Sequence, residues 1–279
     1  MPELPEVETM RRGVFPIIGA TIVAAERTPS PRRPIKIQPD IKLLHRRVAG
    51  QKIEAVERAG KRVALRLASG DRLIFEPRMT GLVLIDQPPT QEHLRFRLRL
   101  RGRRVKELLY WDRRGLGSVY LLRDAEYQSK LLNGKLGPDA LAISCDEFHE
   151  RFSARMKAIK VALLDQALVA GVGNLYASEI LHRAGVHPAA LCNRLSRAKY
   201  ERIFESMRVV LHEAIESEGS TLSDGTYRNA LNESGGYQNQ HRVYDRAGNP
   251  CPTCRSATIL RIVQSQRATF FCPHCQKRR

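Results

Sequence analysis

The 279-residue chain is predicted to be an α+β multidomain protein: an N-terminal antiparallel β-sandwich, a C-terminal helical domain, and a zinc-ribbon hairpin at the end. Three observations carry that prediction. Between about residues 15 and 132 the apolar residues come in short alternating or continuous runs broken by turn residues, the pattern of antiparallel strands. Beyond residue 144 the apolar spacing lengthens to that of helices. Cys251 and Cys254 form one Cys-x-x-Cys pair, and Cys272 and Cys275 form another 17 residues further on. That spacing suits two hairpin knuckles that share one tetrahedral zinc ion through four thiolates.

In chain order, strands are expected over residues 20–25, 52–56, 63–67, 73–75, 82–85, 94–100 and 118–122. Residues 28–42 are rich in proline and charge and read as an exposed loop. The character changes around residues 136–139, and Ser144 with Glu147 forms a capping box that opens a helix. Further helices are expected over 157–169, over 175–184 closed by Gly185, and over 196–218, the last with Tyr200, Ile203, Phe204, Met207, Val210, Leu211, Ala214 and Ile215 on one face. Residues 220–236 are polar, rich in glycine and aperiodic, and read as a long mobile loop. These boundaries divide the chain into 1–135, 136–236 and 237–279.

Composition narrows the partners. The 47 Lys and Arg against 29 Asp and Glu give a net charge of +18, which favours a polyanion through phosphate neutralisation and counterion release. No apolar run approaches 18 residues and no secretory signal pattern opens the chain, so an intracellular, soluble protein with no membrane partner is expected. Cys145 and Cys192 stand apart and read as reduced thiols.

Several local features carry chemistry beside a plainer structural meaning. Removal of Met1 would leave the secondary amine of Pro2 at the chain start. An α-amino group titrates near ~8 against roughly 10.4 for lysine, so part of it is unprotonated and nucleophilic at neutral pH. Attack on a sugar C1′ gives an iminium ion, an electron sink for later eliminations, and Glu3 lies one residue away to move protons. The same residues also read as an ordinary helix start, with Pro5 in the first turn and carboxylates near the positive end of the dipole. Arg95, Arg97, Arg99 and Arg101 alternate with apolar residues and contain no interspersed acid, so they predict a strand with one basic face held for an anionic partner. Gly171 and Gly173 allow a tight turn, and Asn174 reads as the cap of the following helix, whose start is an anion site or simply a connection. Met79, between two strands, is either core filler or an apolar wedge for a base stack. The terminal 38 residues carry eight Lys or Arg and one acid, Asp245, and Arg267 on the strand toward Cys272 is placed to meet phosphate or solvent. The four cysteines leave no open coordination position, so the zinc is expected to be structural; His274 offers an imidazole beside them.

The opening nine residues resemble the start of the formamidopyrimidine-DNA glycosylases, bacterial repair enzymes that excise oxidised purines. The turn at Gly60 and Lys61, the Met79 turn, the run from Val172 to Glu179 and the zinc ribbon follow in that family's order. The run from Val172 looks like the family's helix-two-turn-helix. The resemblance implies a bifunctional DNA glycosylase and apurinic/apyrimidinic lyase acting on 8-oxoguanine and formamidopyrimidines in duplex DNA, by way of a Schiff base at Pro2 and β,δ-elimination. It assigns proton transfers to Glu3, phosphate-side assistance to Lys61 and Arg267, and orientation of the amino terminus to Glu6. It also assigns DNA contacts to His93, Arg114, Arg155 and Asn174, and filling of the vacated base stack to Met79 and Leu116. Most members carry a basic residue and then phenylalanine where this chain has Gly115 and Leu116, which implies weaker discrimination of the opposite base. Residues 220–227 correspond loosely to the family's lesion-capping loop. One structural Zn2+, damaged double-stranded DNA as partner, a monomer and a cytoplasmic, nucleoid-associated location are implied. Two other readings stand beside it. One is the endonuclease VIII branch for oxidised pyrimidines, which shares Pro2 and Glu3 but not the continuation from Leu4 to Glu8. The other is a non-catalytic zinc-ribbon DNA-binding protein.

Overall fold

The computed structural model describes residues 2–31, 33–133, 135–222 and 225–278. The chain forms two compact units, one of Met1–Asn133 with Ile215–Gln238, the other of Gly134–Ala214 with Asn239–Arg279.

The first unit opens with α1 (Leu4–Gly13), whose Leu4, Val7 and Met10 are fully buried. It continues through β1 (Thr21–Arg27), β2 (Lys36–Gln38), α2 (Ile41–Val48), β3 (Ile53–Arg58), β4 (Val63–Leu67), β5 (Arg72–Glu76), β6 (Gly81–Leu84), β7 (Leu94–Arg101), β8 (Glu107–Asp112), β9 (Ser118–Leu122) and α3 (Asp124–Tyr127). One sheet runs β1-β7-β8-β6 and the other β2-β9-β5-β4-β3. All pairings are antiparallel except that of β2 with β9. Phe75 of one sheet meets Phe96 of the other edge-on, with ring centroids 5.9 Å apart, inside a core that also holds Val63, Leu65 and Tyr110.

Four expectations need correction here. β8 lies where no strand was expected, because its five residues after Glu107 are all buried and show no alternation. The expected loop over 28–42 contains β2 and runs into α2, whose first amides donate to the Asp40 carboxylate at 2.8 and 3.1 Å. The basic face of β7 is only partly open, with Arg99 and Arg101 exposed. Arg95 is buried, donating to Asp112 O and Ser30 Oγ, while Glu107 and Glu26 on the neighbouring strands pair with Arg97 and Arg99 at 3.6 and 3.0 Å. Finally, the stretch after residue 219 is pinned to the first unit. Ala230 O accepts from Ile85 N at 3.0 Å, Tyr227 is buried, and the Asn229 side chain bonds Glu218 and Glu233. Residues 215–238 therefore go with the sandwich. Met1, and Ser223 and Asp224 of the expected capping loop, lie outside the described residues.

The second unit holds α4 (Cys145–Ser153), α5 (Ile159–Leu163), α6 (Asn174–Arg183), most of α7 (Arg197–Glu216), β10 (Leu260–Gln264) and β11 (Arg267–Phe271). Ser144 Oγ accepts from Glu147 N at 3.1 Å and caps α4, while the Glu147 carboxylate accepts from Arg151, so the Ser144 half of the expected capping box is formed. The helix expected over 157–169 contracts to α5, because the side chains of Asp165 and Gln166 turn back to bond Ala167 N, Gly171 N and Val172 O. β10 and β11 are joined through Ser265 and Gln266, both at positive φ (46° and 61°), which gives the two-residue hairpin a twist matched to its strands. Among the described residues no helix is long and apolar enough to cross a membrane.

Candidate active site and metal centre

In the first unit the chain start is held by carboxylates. Pro2 is buried directly before α1, and Glu3 occupies the N-cap. Glu6, 3% exposed, accepts from Glu3 N through Oε2 at 2.8 Å and from Ser220 N through Oε1 at 2.9 Å. One side chain thus joins the chain start to a segment more than 200 positions away. Gly219 permits the approach: its φ is +79°, and a Cβ there would stand 3.0 Å from Glu6 Oε1. Tyr227 donates to Glu218 O at 3.0 Å; burial and then the Glu6 charge push its phenol well above the usual 10, so it remains a donor.

Glu8 lies in the opening motif, which gives it no role. It accepts from Arg11, Arg12 and Arg58 at 2.7 to 3.0 Å. Burial raises its pKa, but the hydrogen bonds from Arg11, Arg12 and Arg58 outweigh that and hold the carboxyl at about 2. Arg58 also donates to Gly60 O at 3.1 Å, in a turn closed by mutual bonds between Ala59 and Arg62 with Gly60 at φ +56°. Glu8 and Arg58 therefore link α1 to the turn that presents Lys61, which is half-buried.

Met79, 40% exposed, sits on the turn between β5 and β6, and Arg114 Nη1 lies 2.9 Å from its sulfur. The organiser beneath them is Asp112, fully buried. Its carboxylate accepts from Thr80 Oγ1, Arg114 N and Gly117 N, shaping the loop that carries Leu116, which is half-buried. Gly115 is at φ +63° and a Cβ would meet Arg33 O at 2.5 Å, so the departure at this position fits a backbone that excludes a side chain. His93 is 9% exposed, its ring set edge-on against Trp111 and its Nε2 paired with Glu92 at 2.8 Å.

In the second unit Gly173, not Asn174, is the N-cap of α6. Asn174 is instead engaged sideways: its Oδ1 accepts from Lys160 Nζ at 2.7 Å. Lys160 is fully buried on α5 and also donates to Thr269 Oγ1 at 2.6 Å and Ala268 O at 3.0 Å. The lysine thus ties the start of α6 to β11, whose first residue is the exposed Arg267. Its only sequence signal is a lone charge inside an apolar helical run. Arg155 is exposed just beyond α4.

The four cysteine sulfurs of the ribbon lie within 4.8 Å of one another, with Cys251–Cys275 at 3.8 Å and Cys254–Cys272 at 3.6 Å. A tetrahedron with Zn–S bonds of about 2.3 Å has sulfur edges of roughly 3.8 Å, so the set fits one structural zinc ion. α6 supports the ribbon along its length. Glu179, buried, accepts from the amides of Arg242, Val243 and Tyr244 at 2.7 to 3.0 Å, and His182 Nε2 lies 3.5 Å from Cys251 Sγ. Past its end, Gln276 donates to Val186 O at 2.9 Å.

This combination of a carboxylate-clamped chain start on a sandwich, a helix pair with a glycine turn and a four-thiolate ribbon defines a class of DNA-repair protein. Residues 1–119 match the formamidopyrimidine-DNA glycosylase N-terminal domain, residues 136–226 its H2TH domain, and residues 248–278 the zinc finger found in FPG and IleRS. The chain is 38% identical to the formamidopyrimidine-DNA glycosylase of Solibacter usitatus, with all of both chains covered. Among solved structures it resembles the MutM (Fpg) protein of Thermus thermophilus, with a TM-score of 0.85 and 37% identity over 99% of this chain and 98% of that one. It also resembles the Lactococcus lactis Fpg in complex with DNA containing Fapy-dG, with a TM-score of 0.85 and 31% identity over 99% and 100%. The chain belongs to the formamidopyrimidine-DNA glycosylase family.

Proposed function

We propose that the chain is a base-excision repair glycosylase that removes 8-oxoguanine and formamidopyrimidines from duplex DNA and then cuts the strand as a lyase. The observation that carries this is the clamped chain start, buried Pro2 with Glu3 and Glu6 behind it, in a chain similar to the family along its whole length. With Met1 removed, the Pro2 nitrogen attacks C1′, the glycosidic bond breaks, and its electron pair leaves with the base, which takes up a proton. Glu3 delivers a proton to the sugar ring oxygen as the ring opens, leaving an iminium at C1′. That cation acidifies C2′; loss of its proton expels the 3′ phosphate, and a second elimination expels the 5′ phosphate, with Lys61 and Arg267 meeting the phosphates. Glu6 orients the chain start by bonding the Glu3 amide.

Extruding a base leaves a gap, which Met79 and Leu116 fill while Arg114 faces the orphaned base. Their shared anchorage on Asp112 and Thr80 supports this assignment. His93, Arg155 and Asn174 contact the DNA, and the enzyme works as a cytoplasmic, nucleoid-associated monomer. Base release from duplexes with 8-oxoguanine or thymine glycol tests the reading. Faster release of 8-oxoguanine is expected. A preference for thymine glycol would place the chain with the endonuclease VIII branch, and tight binding without release of either base would favour the non-catalytic reading.

A further inference from the structure

α6 and the metal site meet at one atom pair that neither the glycosylase chemistry nor the four-cysteine count uses. We propose that His182 is a positioning residue of the zinc centre: its Nε2–H donates to the Cys251 sulfur and locks the ribbon onto α6. His182 is 4% exposed on the last turn of α6, and its Nε2 stands 3.5 Å from Cys251 Sγ.

The tautomer follows from what surrounds the ring. Four thiolates give a zinc ion a net negative centre, and sulfurs that bear that charge are stabilised by N–H donors around them. Within the ribbon Cys275 N already serves Cys272 Sγ at 3.4 Å. A zinc-bound thiolate only accepts. A proton on Nδ1 would therefore set the Nε2 lone pair against the sulfur and bury an N–H that finds no acceptor among the described residues. A proton on Nε2 satisfies the sulfur and leaves only a bare lone pair at Nδ1, the cheaper arrangement.

The consequence extends along the helix. The same α6 carries Asn174 at its start, tied through Lys160 to β11, and Glu179 in its middle, tied to the segment before Cys251. His182 adds a tie to the metal site itself, so zinc occupancy and the placement of the Arg267 hairpin against Asn174 are coupled through one helix. The inference rests on the four-thiolate zinc reading, and the tests separate the two.

The first test is zinc transfer from the full-length protein to a coloured chelator. His182→Phe, which keeps an aromatic ring, slightly larger, without the donor, is expected to speed transfer about 10- to 100-fold. His182→Gln, whose amide can donate, is expected to recover part of the loss. Equal transfer rates in the wild type and His182→Phe would overturn the proposal. The second test needs no variant, so a misfolded His182→Phe leaves it intact. In wild-type protein loaded with cadmium-113, nitrogen-15 NMR is expected to show His182 protonated at Nε2, with that proton coupled to cadmium through the sulfur. Protonation at Nδ1 overturns the proposal while leaving the zinc assignment standing. Failure of the four thiols to take up metal at all overturns both.

Discussion

Removing the Glu8 carboxylate offers a quantitative handle on the first unit. Glu8 is 4% exposed, and three guanidinium groups hold its carboxyl at about 2 instead of the usual 4.5. A depression of that size corresponds to about 3 kcal/mol of stability at pH 7, at about 1.36 kcal/mol per unit. The sign is fixed by linkage: the folded pKa lies below the unfolded one, so this stability is fully present above about pH 5 and is lost as the pH falls toward 2. The same relation leaves under half of it, about 1.4 kcal/mol, at pH 3. Glu8→Gln removes the charge while keeping the shape. With a urea slope of about 2 kcal/mol per molar, the unfolding midpoint is expected to drop by roughly 1.5 M at pH 7. The chain's single tryptophan, Trp111, is buried in β8 of this unit, and its fluorescence reads that transition. The difference between wild type and variant is expected to shrink by more than half between pH 7 and pH 3. An unchanged midpoint at pH 7, or a difference that stays constant with pH, would refute the hub role assigned to Glu8.

Lys160→Met leaves the buried Thr269 hydroxyl and two half-buried acceptors, Asn174 Oδ1 and Ala268 O, without their donor and is expected to destabilise the second unit by about 2–4 kcal/mol, read as an earlier zinc release during urea titration; an unshifted release curve would contradict it. Leu116→Phe, leaving Gly115 in place, is expected to raise the ratio of 8-oxoguanine excision opposite cytosine to that opposite adenine by roughly fivefold, since an aromatic stack adds about 1 kcal/mol. No change, or a fall in that ratio, would show that residue 116 does not read the opposite strand.

The parts of this fold legible in the sequence are those that local periodicity determines. β4 and β9 fall where the short apolar runs put them, and Ser144 caps α4 as its spacing with Glu147 requires. The cysteine pairs define their cluster because Cys-x-x-Cys knuckles are local as well. The hidden parts depend on partners far along the chain. Asn174 looks like a cap until Lys160 takes its oxygen, and the arginines of β7 look unpaired until β1 and β8 bring up Glu26 and Glu107. The described residues of 220–236 lack periodicity because their order comes from single contacts with distant atoms such as Glu6 Oε1 and Ile85 N. Of the candidate site, Pro2, Glu3, Glu6 and the cysteines are marked by motif, whereas the role of Glu8 within that same motif, and Asp112, Lys160 and His182 altogether, emerge only once the strands and helices are assembled.

The central claim is that the Pro2 nitrogen forms the covalent bond to the damaged strand. Borohydride reduction during turnover of an 8-oxoguanine duplex, followed by proteolysis and mass mapping, tests it most directly. The expected product is a peptide lacking Met1 with the sugar remnant on Pro2. An adduct on Lys61 or any other side chain, or full strand cutting by protein whose amino terminus is blocked, would contradict it.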